Sequence, residues 1–162
     1  MADKKITDLT ELTAVASDDY LEIVDTSVNT SKKISRENLA GWHFLTLPLT
    51  STAWDGDAFS TTAKTKIDLS VVFGVPAGVK AVLVKIALRD SGSAATSCVF
   101  QLSGVSSGTN YSLTVQASPI NDRYAYFNGI APCDANGDIY YMVTASGSGT
   151  MDIYLEIWGY WL

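Results

Sequence analysis

Gly104-Val105-Ser106-Ser107-Gly108 spells G-x-S-x-G, the string with which serine hydrolases hold a nucleophilic hydroxyl on a strained strand-to-helix turn. That chemistry needs an acid and then a histidine later in the chain, whereas the only histidine, His43, lies upstream in a segment that alternates like a strand. The string therefore reads as a Ser/Gly hairpin loop, and His43 as a core or interface imidazole. Asp134-Ala135-Asn136-Gly137-Asp138 opens as a calcium loop does, with oxygen donors at alternate positions, but Ile139 and Ala145 stand where that loop needs a glycine and an acid. A tight turn before a strand is the simpler reading. Asp55 and Asp57 are the residue types of glycoside cleavage, yet that reaction depends on a fixed separation across a groove, which two acids in one polar loop do not provide.

Cys98 and Cys133 lack the C-x-x-C spacing of a zinc or redox site. Cys98 reads as a small buried hydrophobe and Cys133 as a loop thiol, with a disulfide between them as the alternative. Asn29-Thr30-Ser31 and Asn110-Tyr111-Ser112 match the glycosylation sequon, which carries weight only behind a secretion signal. No catalytic residue, metal ligand or cofactor site is assigned, and the expectation is a protein that is not an enzyme and holds no cofactor.

The elements that would position any site follow from length and pattern. At 162 residues one core can be buried, with an extension beside it. Eleven Lys and Arg against 17 Asp and Glu give a net charge of -6, and the closest basic pairs, Lys4-Lys5 and Lys32-Lys33, sit among acids. Nucleic acid is excluded as a partner, because phosphate binding needs clustered cations. MADKKITD lacks the apolar stretch of a signal peptide, and no apolar run is long enough to span a membrane, so a soluble cytosolic product with no membrane insertion is expected.

From Trp42 the chain turns to β-branched and aromatic residues. Trp42–Leu49 alternates, with Pro48 marking an edge or strand end. The polar stretch 50–65 around Trp54 and Phe59 reads as a covering loop. Strands are then expected over Lys66–Phe73, Val79–Asp90, Ala94–Leu102, Tyr111–Ala117, Tyr124–Ile130, Asp138–Ala145 and Met151–Leu162, separated by Gly, Pro, Asn and Ser turn signals. Seven or eight short strands without an amphipathic helix predict an all-β fold, an antiparallel β-sandwich or jelly-roll-like domain over residues 42–162.

Alternation assigns the faces. Val82, Val84, Ile86 and Leu88 should face the core, as should Cys98, Phe100 and Leu102, then Tyr111, Leu113 and Val115. The last two strands carry apolar residues on both sides: Ile139, Tyr141 and Val143 against Tyr140 and Met142, and Met151, Ile153, Leu155 and Ile157 against Tyr154, Trp158 and Tyr160. A second aromatic face calls for a cover. Tyr140, Met142, Tyr154, Trp158 and Tyr160 are therefore expected near an interface between copies of the chain. Two other readings stay open: cover by the domain's own N-terminal segment or Trp42 strand, and a platform on which sugars stack.

Residues 1–41 are poor in core-forming bulk. Ile6, Leu9, Leu12 and Val15 recur every third residue as an apolar docking strip, Tyr20–Asp25 and Lys32–Ile34 form the arms of a short hairpin, and Ser35 to Gly41 can cap a single helical turn through Leu39. The order Lys5-Ile6-x-x-Leu9, then Asp18-Asp19 with Ile23-Val24-Asp25, then Lys32-Lys33-Ile34 with Asn38-Leu39, resembles the N-terminal segment of many tailed-bacteriophage virion proteins, chiefly fibre and head- or tail-appendage subunits. The resemblance covers about the first 40 residues. It implies a virion component assembled in the host cytoplasm, usually a homotrimer, whose residues 1–41 form an attachment arm to another virion protein such as a capsid, tail or portal-associated subunit. Within that arm Ile6, Leu9, Leu12, Tyr20, Ile23, Ile34 and Leu39 are the expected attachment residues. A host-surface glycan is the further partner such an appendage would meet.

Overall fold

A computed structural model of the chain describes residues 20–25 and 30–35 by their backbone, and residues 41–51, Trp54 and 63–162 with their side chains. The chain divides into two compact units, Met1–Leu39 and Ala40–Leu162. In the first, strands β1 (Tyr20–Asp25) and β2 (Thr30–Ser35) pair antiparallel, Tyr20 opposite Ser35 and Ile23 opposite Lys32. The return strand starts two residues earlier than Lys32, taking in Thr30 and Ser31. The docking strip of Ile6, Leu9 and Leu12 and the turn ending at Leu39 lie outside the described residues.

The second unit runs β3 (Trp42–Leu49), β4 (Thr65–Ile67), α1 (Leu69–Phe73), β5 (Ala81–Asp90), β6 (Val99–Ser103), β7 (Leu113–Gln116), β8 (Ala125–Pro132), β9 (Ile139–Thr144) and β10 (Met151–Trp161). One sheet has the order β3-β10-β5-β8 and the other β4-β9-β6-β7, and every pairing is antiparallel. The pairs β3 with β10, β4 with β9, β5 with β8 and β6 with β7 are those of one long hairpin ribbon wrapped over two sheets, which is a jelly roll.

The core lies between the sheets. Val82, Val84, Ile86 and Leu88 of β5 meet Phe100 and Leu102 of β6, Ile139, Tyr141 and Val143 of β9, and Met151, Ile153, Leu155 and Ile157 of β10 in one buried cluster, with the inward faces that alternation assigns. Cys98 and Val115 are buried there too, whereas Leu113 is only partly covered, and Tyr111, expected inward, precedes β7 and lies outside the cluster with its hydroxyl on Met142.

Three departures have local causes. Lys66–Phe73 is a short strand followed by a helix, not one strand. The Asp68 side chain accepts the Val71 amide at 3.1 Å as N-cap, and Gly74 closes the helix at φ 73, so two caps outweigh the strand preference of Val71 and Val72. Residues 94–97 are a turn and loop, and β6 begins only at Val99. In β10 the register shifts between Ile157 and Gly159: Ile157 pairs with Val84, Gly159 with Leu83 and Tyr160 with Val82, which makes Trp158 the extra residue of a β-bulge. Tyr160 is thereby turned to the side of Val82 and packs against the core, away from the face that carries Tyr154.

Candidate functional site

The five expected interface residues do not form one surface. Tyr140 and Met142 lie on β9, on the outer face of the β4-β9-β6-β7 sheet, where the Tyr140 hydroxyl donates to Asp134 Oδ2 at 3.0 Å and Met142 Sδ accepts from the Tyr111 hydroxyl at 3.2 Å. Tyr154 and Trp158 lie on the outer face of the opposite sheet, and Trp158 Nε1 donates to Glu156 Oε2 at 2.9 Å. Tyr160 stacks on His43 of β3, ring centroids 5.2 Å apart. The single aromatic face inferred from alternation is thus split by the sandwich and by the bulge. Tyr20, Ile23 and Ile34 are placed on the β1–β2 hairpin as expected.

The catalytic-looking strings resolve into structural contacts. Ser106 sits in the loop between β6 and β7, on the other sheet from His43. That loop is clamped by Lys64, whose Nζ donates to Ser103 Oγ (3.0 Å), Ser107 O (3.1 Å) and Asn110 O (2.8 Å) while lying 4.7 Å from the centroid of the Tyr111 ring. Three ammonium protons meet three acceptors. In the Asp134 turn, Oδ1 accepts the amides of Asn136 (2.8 Å) and Asp138 (2.9 Å). Asp138 itself faces Lys66 Nζ at 3.0 Å. The carboxylates hold the turn through their own neighbours. Both cysteines are free thiols, and burial, aided by Asp134 and Asp138, pushes Cys133 up to about 12.

The residues with functional geometry cluster on the outer face of β10, β5 and β8. Ala87 of β5 is the register partner of Tyr154 on one side and of Tyr126 on the other. An alanine between two tyrosines leaves a trough, and both rings are open to solvent, Tyr126 at 69% and Tyr154 at 60% exposure. Tyr124 joins them at centroid distances of 6.1 Å to Tyr126 and 5.9 Å to Tyr154. Burial and the hydrogen bond with Tyr154 push the Tyr124 phenol up to about 12, so it stays protonated at neutral pH.

Charged groups close both ends of the trough. At one, the Arg89 guanidinium lies 4.9 Å from the Tyr124 ring centroid, is hydrogen-bonded to Asp152 on β10, and lies 3.3 Å from Asp122 Oδ1. At the other, Lys85 Nζ meets Glu156 Oε2 at 3.1 Å, and Glu156 is held below the usual carboxylate range first by the Trp158 indole and then by Lys85. Asp122 has φ 57, the left-handed region that an aspartate tolerates better than most residues.

Behind this surface Asp90, the buried last residue of β5, ties three loops together. Its carboxylate accepts the amides of Gly92 (2.7 Å) and Ser146 (2.9 Å), the Ser146 hydroxyl, and the Thr150 hydroxyl at 3.1 Å. Its carbonyl accepts the Asp122 amide at 3.1 Å. Burial alone would raise the Asp90 pKa; the hydrogen bonds from Ser146, Gly92 and Thr150 outweigh it and hold the carboxyl below its ordinary value. The strand that supplies Arg89 and Ala87 to the trough therefore also anchors the loop that supplies Asp122.

Sequence reasoning assigned Tyr154 to this face and missed Tyr124, Tyr126, Ala87 and Asp122. The alternation of Tyr124, Tyr126 and Asn128 carries a signal for an outward aromatic row, but only strand order shows that β8 and β10 flank β5.

No protein-family model matches the sequence, and no curated protein does. Among solved structures the chain is similar to the coat protein of Tobacco streak virus, with 9% sequence identity and a TM-score of 0.42 over 77% of this chain and 87% of that one. The strand order itself is that of a jelly roll.

Proposed function

We propose that the chain is a structural component of a tailed-phage virion, a homotrimeric fibre, appendage or decoration subunit mounted on the particle through its N-terminal segment, with no enzymatic activity. The observation that carries this reading is the N-terminal pattern itself. Its second and third parts, around Ile23-Val24-Asp25 and Lys32-Lys33-Ile34, fall on two paired strands within a unit separate from the sandwich, as a mounting segment requires. The jelly roll is compatible, since it is a recurrent architecture of viral capsid domains, though it serves other functions as well. The homotrimer rests on the resemblance, because Tyr140, Met142, Tyr154, Trp158 and Tyr160 are divided between two outer faces and the core side and do not form one surface.

The test is to delete Met1–Gly41 and follow the protein into assembled particles. The sandwich should fold and be absent from them; particles that carry the truncated protein refute the mounting role. Sedimentation of the full chain should give a trimer, and a stable monomer at micromolar concentration would remove that part of the reading.

A second reading, recognition of a host-surface glycan, is favoured by one observation, the open tyrosine trough on the outer face of β10, β5 and β8. The two are compatible, since a mounted subunit can also bind a receptor.

A further inference from the structure

We propose that the trough floored by Ala87 and flanked by Tyr126 and Tyr154 is a stacking site for one ring of a neutral glycan, with Arg89 and the carboxylates of Asp152 and Glu156 bonding its hydroxyls. The proposal rests on the glycan-recognition reading and deepens it by naming the site and the ligand chemistry.

Geometry supplies the first reason. Tyr126 and Tyr154 stand directly across Ala87 on its two neighbouring strands, so their backbones are two strand spacings apart, about 9.5 Å. A saturated ring stacked between two flat groups needs two van der Waals contacts of about 4 Å each. The backbone spacing is of the size one such ring needs, and Tyr124, 6.1 Å from Tyr126 and 5.9 Å from Tyr154, bounds it on the Arg89 side.

Chemistry supplies the second. A pyranose has C–H faces that pack on an aromatic surface and a rim of hydroxyls that both donate and accept. The trough offers the same alternation: exposed tyrosine faces at the centre and charged groups at both ends, the Arg89–Asp152 pair and the Lys85–Glu156 pair. An apolar peptide segment would leave those ends unused, and a strand-adding peptide would need a sheet edge, whereas Ala87 lies on β5 with a partner on each side.

Charge sets the class of sugar. Lys85 and Arg89 are two cations against the three carboxylates Asp122, Asp152 and Glu156, each already paired with one of them, so the site carries no surplus positive charge. An acidic sugar finds no unpaired cation here, and a neutral one needs none. Asp122, in the left-handed region, holds Arg89 from outside the sheet, which keeps the guanidinium against the Tyr124 ring.

The experiment uses the full chain against gluco-, galacto-, manno- and N-acetylglucosamine oligosaccharides, with sialylated oligosaccharides as the charged comparison, followed by calorimetric titration of the best ligand. Tyr126→Ala and Tyr154→Ala remove exposed rings and should leave the melting temperature near the parent's while weakening a neutral ligand about tenfold or more each, the loss of roughly one stacking contact. Ala87→Leu fills the floor, keeps both rings, and should weaken the same ligand as much. Leu47→Ala, exposed on β3, should leave binding unchanged.

Neutral-glycan binding retained by all three trough variants would overturn this site while leaving glycan recognition standing. No binding of any glycan by the folded protein would overturn both. Trough variants that alter sedimentation with no glycan bound would make the surface an interface between copies and overturn the proposal.

Discussion

Asp90 ties three connections of the sandwich together. Its carboxylate serves backbone and hydroxyl donors on the β5–β6 and β9–β10 connections, and its carbonyl serves the β7–β8 connection. Removing it leaves buried donors without an acceptor, each a loss of about 1–3 kcal/mol. Asp90→Ala should therefore destabilise the protein by about 2–4 kcal/mol in denaturant titrations, at the upper end of single-residue effects. The pH dependence has a definite sign. A carboxyl held below its ordinary pKa in the folded state contributes stability that is complete above the unfolded value, about 3.9, and is lost as pH falls through the lower folded value. Thermal melts should lose stability as pH drops below about 4, and Asp90→Asn should flatten that decline. Cys133 gives a second test at this scale: with Cys98 buried and the Cys133 thiol pushed up to about 12, neither should react appreciably with a thiol reagent at pH 7.5, and both should react in denaturant. The sequence gives Asp90 away as a turn residue in Asp90-Ser91-Gly92-Ser93. Its role as a knot is not legible there, because Ser146 lies 56 residues along the chain.

Among the elements, β10 shows how a local insertion defeats pattern reading. Alternation from Met151 to Ile157 assigns its faces correctly, then Trp158 adds one residue and every later side chain changes sides. Gly159 is the trace the bulge leaves in the sequence. A Cβ there would lie 2.9 Å from the His43 carbonyl oxygen, closer than contact allows. Gly159→Val should force β10 and β3 apart, costing about 1–3 kcal/mol by overpacking, and hydrogen exchange should quicken in Trp42–Leu49 more than in β6 or β7. The helix α1 was within reach of the sequence, since Asp68 and Gly74 stand at its two ends, but the Val71-Val72 pair masked them by reading as strand.

For the whole molecule, strand number, turn positions and the inward set from Val82 to Leu88 were legible because each depends on near neighbours in sequence. Strand order was not, since a jelly roll pairs β3 with β10 and β4 with β9 across most of the unit's length. The trough followed strand order into invisibility: Tyr126 and Tyr154 meet Ala87 only once β8 and β10 are placed beside β5. Among the described residues, the buried cluster that supports it runs from Ile67 to Ile157, with Leu49, Trp54, Tyr160 and Leu162 packed against it. Residues 40–162 alone should consequently unfold in one cooperative transition within a few degrees of the full chain, as measured by near-ultraviolet circular dichroism.

The central place of β10 also sets the order of events in synthesis. It fills the lane between β3 and β5, with Trp161 opposite both Trp42 and Ala81. A nascent chain that has released everything up to Gly149 holds one sheet of the sandwich with a gap in its middle and one edge of β5 unpaired. The first sheet can close only when 151–161 leave the ribosome, so folding should wait for that strand, run in milliseconds to seconds as distant pairings require, and pass its most aggregation-prone moment just before the strand arrives.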